Sequence, residues 1–285
     1  MEYLAALHPA TLYALVVVLG LLVGSFLNVV ILRFPAALIH DWKCQCRELL
    51  ELEAELDAAP ANIASGRSRC PSCGHSIAWY DNIPVISWLL LRGRCRNCGG
   101  AISARYPVVE LATAILSVAV IWRLGPDAAG LAGLLFTWVL IAATGIDLDY
   151  KLLPDQLTLP LVWLGLFLNV FGIFTDLQSA VIGAIAGYLS LWLVFHLFRL
   201  ITGKEGMGYG DFKLLAAIGA WFGWQVLPTV ILLASGVGAV IGLALIALRR
   251  MGREVPIAFG PFLAAAGWLV LVGGDAIVDF WLLLS

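Results

Sequence analysis

Long apolar runs recur along almost the whole chain, and they constrain its fold more than any other feature. Hydrophobic residues make up 61% of the 285 residues, and charged residues only 13%. A helix needs roughly 18–20 apolar residues to cross a bilayer, so the pattern predicts an all-α multipass membrane protein. The predicted spans cover approximately residues 10–32, 107–123, 129–146, 156–174, 179–199, 212–227, 229–248 and 257–280. The first is expected to be a retained helix, because it lacks the basic start and the cleavage site of a signal peptide.

The basic residues predict an orientation. Cytosolic loops of membrane proteins carry an excess of Lys and Arg. If the polar insertion 33–106 is cytosolic, 16 of the 17 Lys and Arg residues lie on the cytosolic side, and only Arg123 lies opposite. Both termini then face outward. This predicts three segments: a first transmembrane helix (1–32), a cytosolic domain (33–106) and a bundle of about seven helices (107–285).

The insertion carries two CxxC pairs, Cys70/Cys73 in CPSC and Cys95/Cys98 in RCRNC, with 21 residues between them. This spacing is typical of a four-thiolate zinc ribbon. A redox disulfide is the rival interpretation, but the cytosol disfavours persistent disulfides. Four cysteine ligands leave no position for water, so the predicted zinc is structural. Gly74 and Gly99 follow the pairs and allow the tight backbone that such knuckles need.

A second, acidic stretch of the insertion, CQCRELLELEAELDAA, predicts a solvated amphipathic helix. Cys44 and Cys46 form a CxC at its start, outside the zinc pattern. They are expected to be free thiols, with an accessory metal role as the alternative.

Four aspartates gather at the predicted cytosolic membrane face: Asp147, Asp149, Asp155 and Asp211. Acids at helix ends often only cap an N-terminus or lie among the headgroups, and that interpretation is favoured for Asp149 and Asp155. Asp147 directly follows an apolar run, and Asp211 lies in the glycine-rich turn GMGYGD. Ionisable groups at membrane depth are costly, so these two are the functional candidates.

Two carboxyl groups held close together do not both ionise easily, so they share one proton. An aspartic protease uses this state. The carboxylate takes a proton from the attacking water, while the carboxylic acid polarises the scissile carbonyl. The glycines before Asp211 permit the backbone to approach an extended substrate.

Several blocks of the chain resemble a known family. GYGD (208–211) is similar to the GxGD signature of intramembrane aspartic proteases. GSFLNVVILRFP (24–35), the cysteine segment from CPSC to YPVVE (70–110), IDLDYKLLPDQLTLP (146–160) and IAFGPFLAAAG (257–267) resemble the type 4 prepilin peptidases of bacteria. GxGD alone is a weak signal, whereas all five blocks in order are a strong one.

The resemblance implies that Asp147 and Asp211 are the catalytic dyad of an enzyme in the bacterial plasma membrane. Asp147 is preferred over Asp149, because related archaeal preflagellin peptidases place their aspartate eight residues before an acid equivalent to Asp155. Gly208, Gly210, Lys213 and Asp149 are the expected neighbouring residues of the active-site loop.

The resemblance also implies the substrates. The family cuts a short basic leader from type IV prepilins or from the pseudopilins of type II secretion, after a glycine. Members with the cysteine domain then methylate the new amino terminus with S-adenosylmethionine. No nucleotide-binding fingerprint supports this second activity here, and the region near Gly93, Arg94 and the zinc knuckles is its expected location. The expected partners are such substrates and the lipid bilayer, with no nucleic acid.

Two hypotheses from other classes compete with the protease. Paired acids also serve as proton relays in carriers, but a carrier predicts polar groups deep within several spans. A membrane anchor that displays a zinc ribbon accounts for the cysteines and leaves GYGD unexplained. Asn28 and Arg33 either hold the first helix against its neighbours or guide substrate, and the sequence does not decide between these roles.

Overall fold

The computed structural model describes residues 8–52, 60, 63, 67–248 and 258–274. Within these ranges the chain forms nine α-helices and no β-strand. They are α1 (Pro9–Leu49), α2 (Ile86–Leu90), α3 (Arg105–Leu124), α4 (Ala128–Tyr150), α5 (Asp155–Val170), α6 (Leu177–Thr202), α7 (Tyr209–Phe222), α8 (Leu227–Ala247) and α9 (Gly260–Gly273). Short 3-10 turns cover Trp79–Asn82 and Trp224–Val226. The chain divides into two compact units, residues 2–119 and residues 120–285.

The predicted all-α membrane fold is confirmed. Among the described residues, five helices are long and apolar enough to cross a membrane: α1, α3, α4, α6 and the segment Trp224–Ala247 that contains α8. Helices α5 and α9 are shorter apolar helices. Large apolar side chains such as Trp163, Trp122 and Leu243 are about 70% exposed, as expected of surfaces that face lipid. Each of the eight predicted spans overlaps a helix, but the number of crossings stays a prediction.

Helix α1 continues well beyond its predicted span. Its 41 residues give a length of about 61 Å at 1.5 Å per residue, twice the ~30 Å of a hydrocarbon core. Pro35 lies inside it without ending it. The helix predicted for the acidic stretch is confirmed over residues 44–49, where it is the end of α1: Cys44 and Cys46 lie in the last turns of α1, and both are exposed. The rest of the acidic stretch, residues 53–59, lies outside the described residues.

Small residues bring helices together in the first unit. A Cβ atom added to Gly20 would lie 2.6 Å from the Ala114 Cα, and one added to Gly24 would lie 2.6 Å from the Glu110 Cα. These two glycines form a GxxxG pair, the spacing that lets membrane helices approach closely. Next to this crossing, the buried Asn28 amide donates to the Tyr106 carbonyl at 3.1 Å. Asn28 thus makes the helix contact that was one of its two predicted roles.

Helix α7 is the core of the second unit. All residues from Asp211 to Trp221 except Lys213 are buried, although the 14 residues of the helix span only about 21 Å. Gly183 of α6 faces Gly219 of α7 so closely that a Cβ added to either residue would lie 2.2–2.3 Å from the other's carbonyl oxygen. On another side, the Trp221 indole donates to the Leu161 carbonyl of α5 at 2.8 Å. Neighbouring helices therefore hold α7, and with it Asp211, in place.

Asn169 links three parts of this unit and was not predicted from the sequence. Its amide nitrogen donates to the carbonyls of Ala220 and Trp221, and its amide oxygen accepts from the N–H groups of Phe174 and Thr175. The side chain is 1% exposed. All its hydrogen-bonding groups are therefore satisfied inside the protein, as a buried amide requires.

Candidate active site and zinc cluster

The two predicted catalytic acids reach the site from different helices. Asp147 lies in the last turn of α4, and Asp211 lies in the first turn of α7. Each side chain is only 6% exposed. A backbone N–H anchors each carboxyl group: Gly260 donates to Asp147 Oδ2 at 3.0 Å, and Gly208 donates to Asp211 Oδ2 at 3.2 Å. Backbone donors of this kind fix the carboxyl groups without adding a competing charge.

Asp147 and Asp211 line the same cavity of about 440 Å³. The fold therefore brings the two acids to one site, although 64 positions separate them in sequence. Glycine is needed around this cavity for steric reasons. A Cβ at Gly260 would lie 2.7 Å from Asp147 Oδ2, and one at Gly210 would lie 2.5 Å from the Leu153 Cβ. We refer to this space as the dyad cavity.

Asp149 does not line the dyad cavity, and its side chain is exposed. The predicted active-site residues Gly208, Gly210 and Lys213 do line it. Asp147 is buried and lines the same cavity as Asp211. These two observations support the choice of Asp147 over Asp149, a choice that until now depended on the resemblance alone.

Asp155 corrects one prediction. It was expected to cap the N-terminus of its helix, but the N-cap residue is Pro154, and no side chain caps this helix. Asp155 instead accepts a hydrogen bond at 2.5 Å from Lys213, the lysine two residues after Asp211. Both residues line the dyad cavity. The reason for the difference is that α5 begins beside α7, where the lysine offers a stronger partner than the helix's own N–H groups.

The four cysteines of the two CxxC pairs come together in the other unit. The Sγ atoms of Cys70, Cys73, Cys95 and Cys98 all lie within 4.8 Å of one another. Four sulfurs at this spacing can surround one tetrahedral ion with Zn–S bonds of about 2.3 Å. The donor set therefore fits zinc.

The two knuckles have the same backbone geometry. In each, the first cysteine N–H donates to the carbonyl five residues later, and the glycine after the pair donates to the first cysteine carbonyl at 2.9 Å. Gly74 and Gly99 have φ values of +69° and +68°, where L-residues are strained, as the sequence predicted. Hydrogen bonds from the backbone of Cys73 and Ser72 lower the pKa of Cys70 to about 6.

The comparisons with known proteins agree with this arrangement. Residues 18–124 match the family model described as the bacterial peptidase A24 N-terminal domain, and residues 134–243 match the type IV leader peptidase family. Two relatives, each named "Prepilin leader peptidase/N-methyltransferase", are similar over nearly their whole length. One, from Stutzerimonas stutzeri, is 54% identical over 281 residues, which is 99% of this chain and 97% of the relative. Another, from Aeromonas hydrophila, is 56% identical over 275 residues, 96% of this chain and 95% of the relative.

The chain belongs to the type IV leader peptidase family. The resemblance deduced from the sequence blocks is thereby confirmed, and the family match does not favour the carrier hypothesis. No solved structure matches the chain. With its apolar helices, this member of the family is a multipass protein of the bacterial inner membrane.

Proposed function

We propose that this protein cuts the leader peptide from type IV prepilins or pseudopilins with an Asp147–Asp211 dyad, and then methylates the new amino terminus. The observation that carries the proposal is that both carboxyl groups, remote in sequence, line one cavity and are each held by a backbone N–H. The relatives are named for both a leader peptidase and an N-methyltransferase activity, and these names support both proposed activities, cleavage and methylation.

Cleavage requires only the side chains of the dyad and a water molecule. The ionised carboxylate removes a proton from the water as its oxygen attacks the scissile carbonyl, while the protonated partner donates a hydrogen bond to the carbonyl oxygen. The tetrahedral intermediate then collapses, the C–N bond breaks, and the leaving amine takes up a proton. The dyad returns to its starting state with one proton shared between the two carboxyl groups.

The dyad cavity also has a charge suited to a basic leader. Two further acids besides the dyad, Asp155 and Glu205, line it. Of these, Asp155 is paired with Lys213, and Glu205 forms an ion pair with Arg199 at 3.5 Å. Counting the dyad, four acids and two lysines, Lys151 and Lys213, line the cavity, and we expect this excess of acids to attract Lys and Arg side chains that precede the cleaved bond.

The distribution of basic residues supports an orientation with both termini outside and residues 33–106 in the cytosol. The dyad then lies at the cytosolic end of its helices, where a leader peptide meets the membrane. We propose eight crossings, with 1–32 as the first helix and 107–285 as the peptidase domain. Zinc held by the four cysteines stabilises the cytosolic segment and takes no part in the chemistry.

The test uses purified full-length protein and a prepilin-like peptide, with mass spectrometry of the products. Asp147→Asn and Asp211→Asn each remove one member of the dyad while keeping the side-chain volume. Each variant should lower the cleavage rate by at least about 1,000-fold, because neither remaining carboxyl group can act as both acid and base. Asp149→Asn is the matched control and should cleave like the wild type.

Cleavage by both dyad variants at the wild-type rate would refute the proposed site. Loss of cleavage in Asp149→Asn but not in Asp147→Asn would assign the role to the other acid. Adding S-adenosylmethionine tests the second activity, since one methyl group adds about 14 Da to the mature product.

A further inference from the structure

A second cavity lies in the first unit, and it shares no lining residue with the dyad cavity. Its volume is about 740 Å³, and residues of α1, the knuckle segment, α2 and the start of α3 line it. Binding sites for small ligands commonly measure about 300–1,000 Å³. The cavity is therefore large enough for a nucleoside with an amino-acid side arm. We refer to it as the knuckle cavity.

Charge distinguishes the knuckle cavity from the dyad cavity. Two acids, Asp81 and Glu110, line it together with four arginines: Arg33, Arg67, Arg69 and Arg94. Arg96 binds Asp81 through two of its nitrogens at 2.7–2.8 Å, and this hydrogen bonding lowers the pKa of Asp81. The cavity thus has a basic rim suited to a carboxylate, for which planar guanidinium groups are the preferred partner.

Glu110 is the one lining acid that lies deep in the helix crossing, and it is 7% exposed. Its Oε2 accepts the Val85 N–H at 2.8 Å, and the Ser25 side chain also hydrogen bonds to it. A carboxylate has about four acceptor positions. These two bonds therefore leave capacity for a cationic group that enters the cavity, and burial makes such a group a favourable partner.

The segment that Glu110 holds has an unusual backbone. Val85 has a φ of +59°, a conformation in which a β-branched residue is strongly disfavoured. The Ser87 hydroxyl next to it donates to the Tyr80 carbonyl at 2.7 Å and accepts the Ile83 N–H at 3.1 Å. Strained residues held in this way cluster at functional sites. Here the strain fixes the cavity wall that faces Glu110.

Two aromatic residues complete the lining. Trp88 and Tyr106 supply rings on which a purine can stack, as aromatic side chains do for nucleobases. The Trp88 indole donates to the Ile102 carbonyl at 3.1 Å, and its ring covers Gly93, where an added Cβ would lie 2.9 Å from the indole. The ring is therefore fixed in position before any ligand arrives.

We propose that Glu110 binds the amino terminus of the cleaved peptide and is the base for its methylation, with the sulfonium nucleoside donor bound beside it in the knuckle cavity. This inference rests on the methyltransferase half of the proposed function. The arginines receive the carboxylate of the donor, the aromatic rings receive its purine, and Glu110 receives the amine.

The chemistry of the transfer balances with these groups. A peptide amine has a pKa of about 7.7–8.0, so much of it is protonated at neutral pH. Glu110 draws the ammonium into the cavity and accepts one of its protons, which frees the nitrogen lone pair. The lone pair attacks the methyl carbon, and the C–S bond breaks with both electrons passing to sulfur. The products are a methylated ammonium and a neutral thioether, and the proton on Glu110 is released to water.

The first experiment measures binding and catalysis separately, on full-length protein in detergent. The acceptor is a synthetic peptide with a mature amino terminus, so that methylation is read without prior cleavage. Glu110→Gln keeps an oxygen to accept the Val85 N–H but removes the negative charge. It should slow methylation by at least about 100-fold, the usual effect of losing a positioned base. The rate of leader cleavage by the same preparation reports whether the variant is folded.

The matched control is Glu48→Gln, which makes the same charge change at an exposed position of α1 outside the cavity. A second variant, Arg33→Gln, keeps an N–H donor for the Arg67 carbonyl that Arg33 contacts at 3.1 Å. It should weaken binding of S-adenosylhomocysteine, measured by calorimetry, by about tenfold or more, because a charged hydrogen bond is lost.

The outcomes separate this inference from the proposed function. If the wild type cleaves but transfers no methyl group, the methyltransferase half of the proposed function is wrong. If the wild type methylates, and both Glu110→Gln and Arg33→Gln methylate and bind the nucleoside like Glu48→Gln, the methyl-transfer site lies elsewhere. Loss of methylation in Glu110→Gln with cleavage intact supports the site.

Discussion

The close contact between Gly183 and Gly219 allows a direct test of whether helix packing positions the dyad. A Cβ added to Gly219 would lie 2.2 Å from the Gly183 carbonyl oxygen, whereas ordinary van der Waals contact begins near 3.4 Å. Gly219→Ala must therefore push α6 and α7 apart by roughly 1 Å, and overpacking of this kind costs about 1–3 kcal/mol. Asp211 lies eight residues earlier on α7, so a shift of the helix displaces its carboxyl group from Asp147. A misplacement of about 1 Å can reduce catalysis about 100-fold.

We therefore expect Gly219→Ala to insert into the membrane but to cleave about 100-fold more slowly than the wild type. The assay is the initial rate of leader release from a prepilin-like peptide, with purified protein in detergent. Gly236→Ala on α8 is the matched control, because nothing lies within 4 Å of its added Cβ. Alanine there should leave the rate unchanged and favour the helix by about 0.5–1 kcal/mol. If Gly219→Ala cleaves at the wild-type rate, the close crossing does not position Asp211.

Three further predictions address other parts of the molecule. Cys70→Ser should lower the zinc content of the purified protein, measured by plasma mass spectrometry, and unchanged zinc would exclude the four-cysteine site. Asn169→Leu leaves four backbone groups without their hydrogen-bond partner, so thermal unfolding should show a free energy of unfolding lower by something on the order of 3 kcal/mol. An unchanged unfolding temperature would show that Asn169 does not stabilise the unit. Lys213→Ala should change the free energy of unfolding by less than about 1 kcal/mol, because its partner Asp155 is 52% exposed. The same variant should cleave severalfold more slowly, since the Lys213–Asp155 pair lines the dyad cavity. Cleavage at the wild-type rate would exclude a role for Lys213 in the site.

The sequence was sufficient for the features that local chemistry determines. The apolar runs located the helices, because a segment in lipid must satisfy its own backbone hydrogen bonds. The two CxxC pairs located the cysteine cluster, because each knuckle closes over only four residues. The position of the dyad was also foreseen, since unpaired acids next to apolar runs are rare. Its catalytic role stays a prediction.

The sequence pattern could not predict contacts between residues that are far apart in the chain. The role of Asp155 depends on Lys213, which is 58 positions away and shares no local motif with it. Asn169 looks like any amide near a helix end, and Glu110 like a single acid near the start of a span. Two glycine pairs did carry a signal: Gly20 and Gly24 of α1, and Gly183 and Gly187 of α6, have the GxxxG spacing that favours close helix packing. That spacing does not identify which helix each pair meets.

The twin knuckles have a consequence for how the protein responds to its surroundings. A single ion bound by Cys70, Cys73, Cys95 and Cys98 would cross-link the two knuckles, whose sulfur atoms lie within 4.8 Å of one another. Folding of that unit would then depend on the supply of the metal, with each tenfold fall in free zinc removing about 1.4 kcal/mol of its stability while zinc exceeds the dissociation constant. Cells short of zinc would thus lose the knuckle cavity first, while the dyad, built from helices that need no ion, stayed intact.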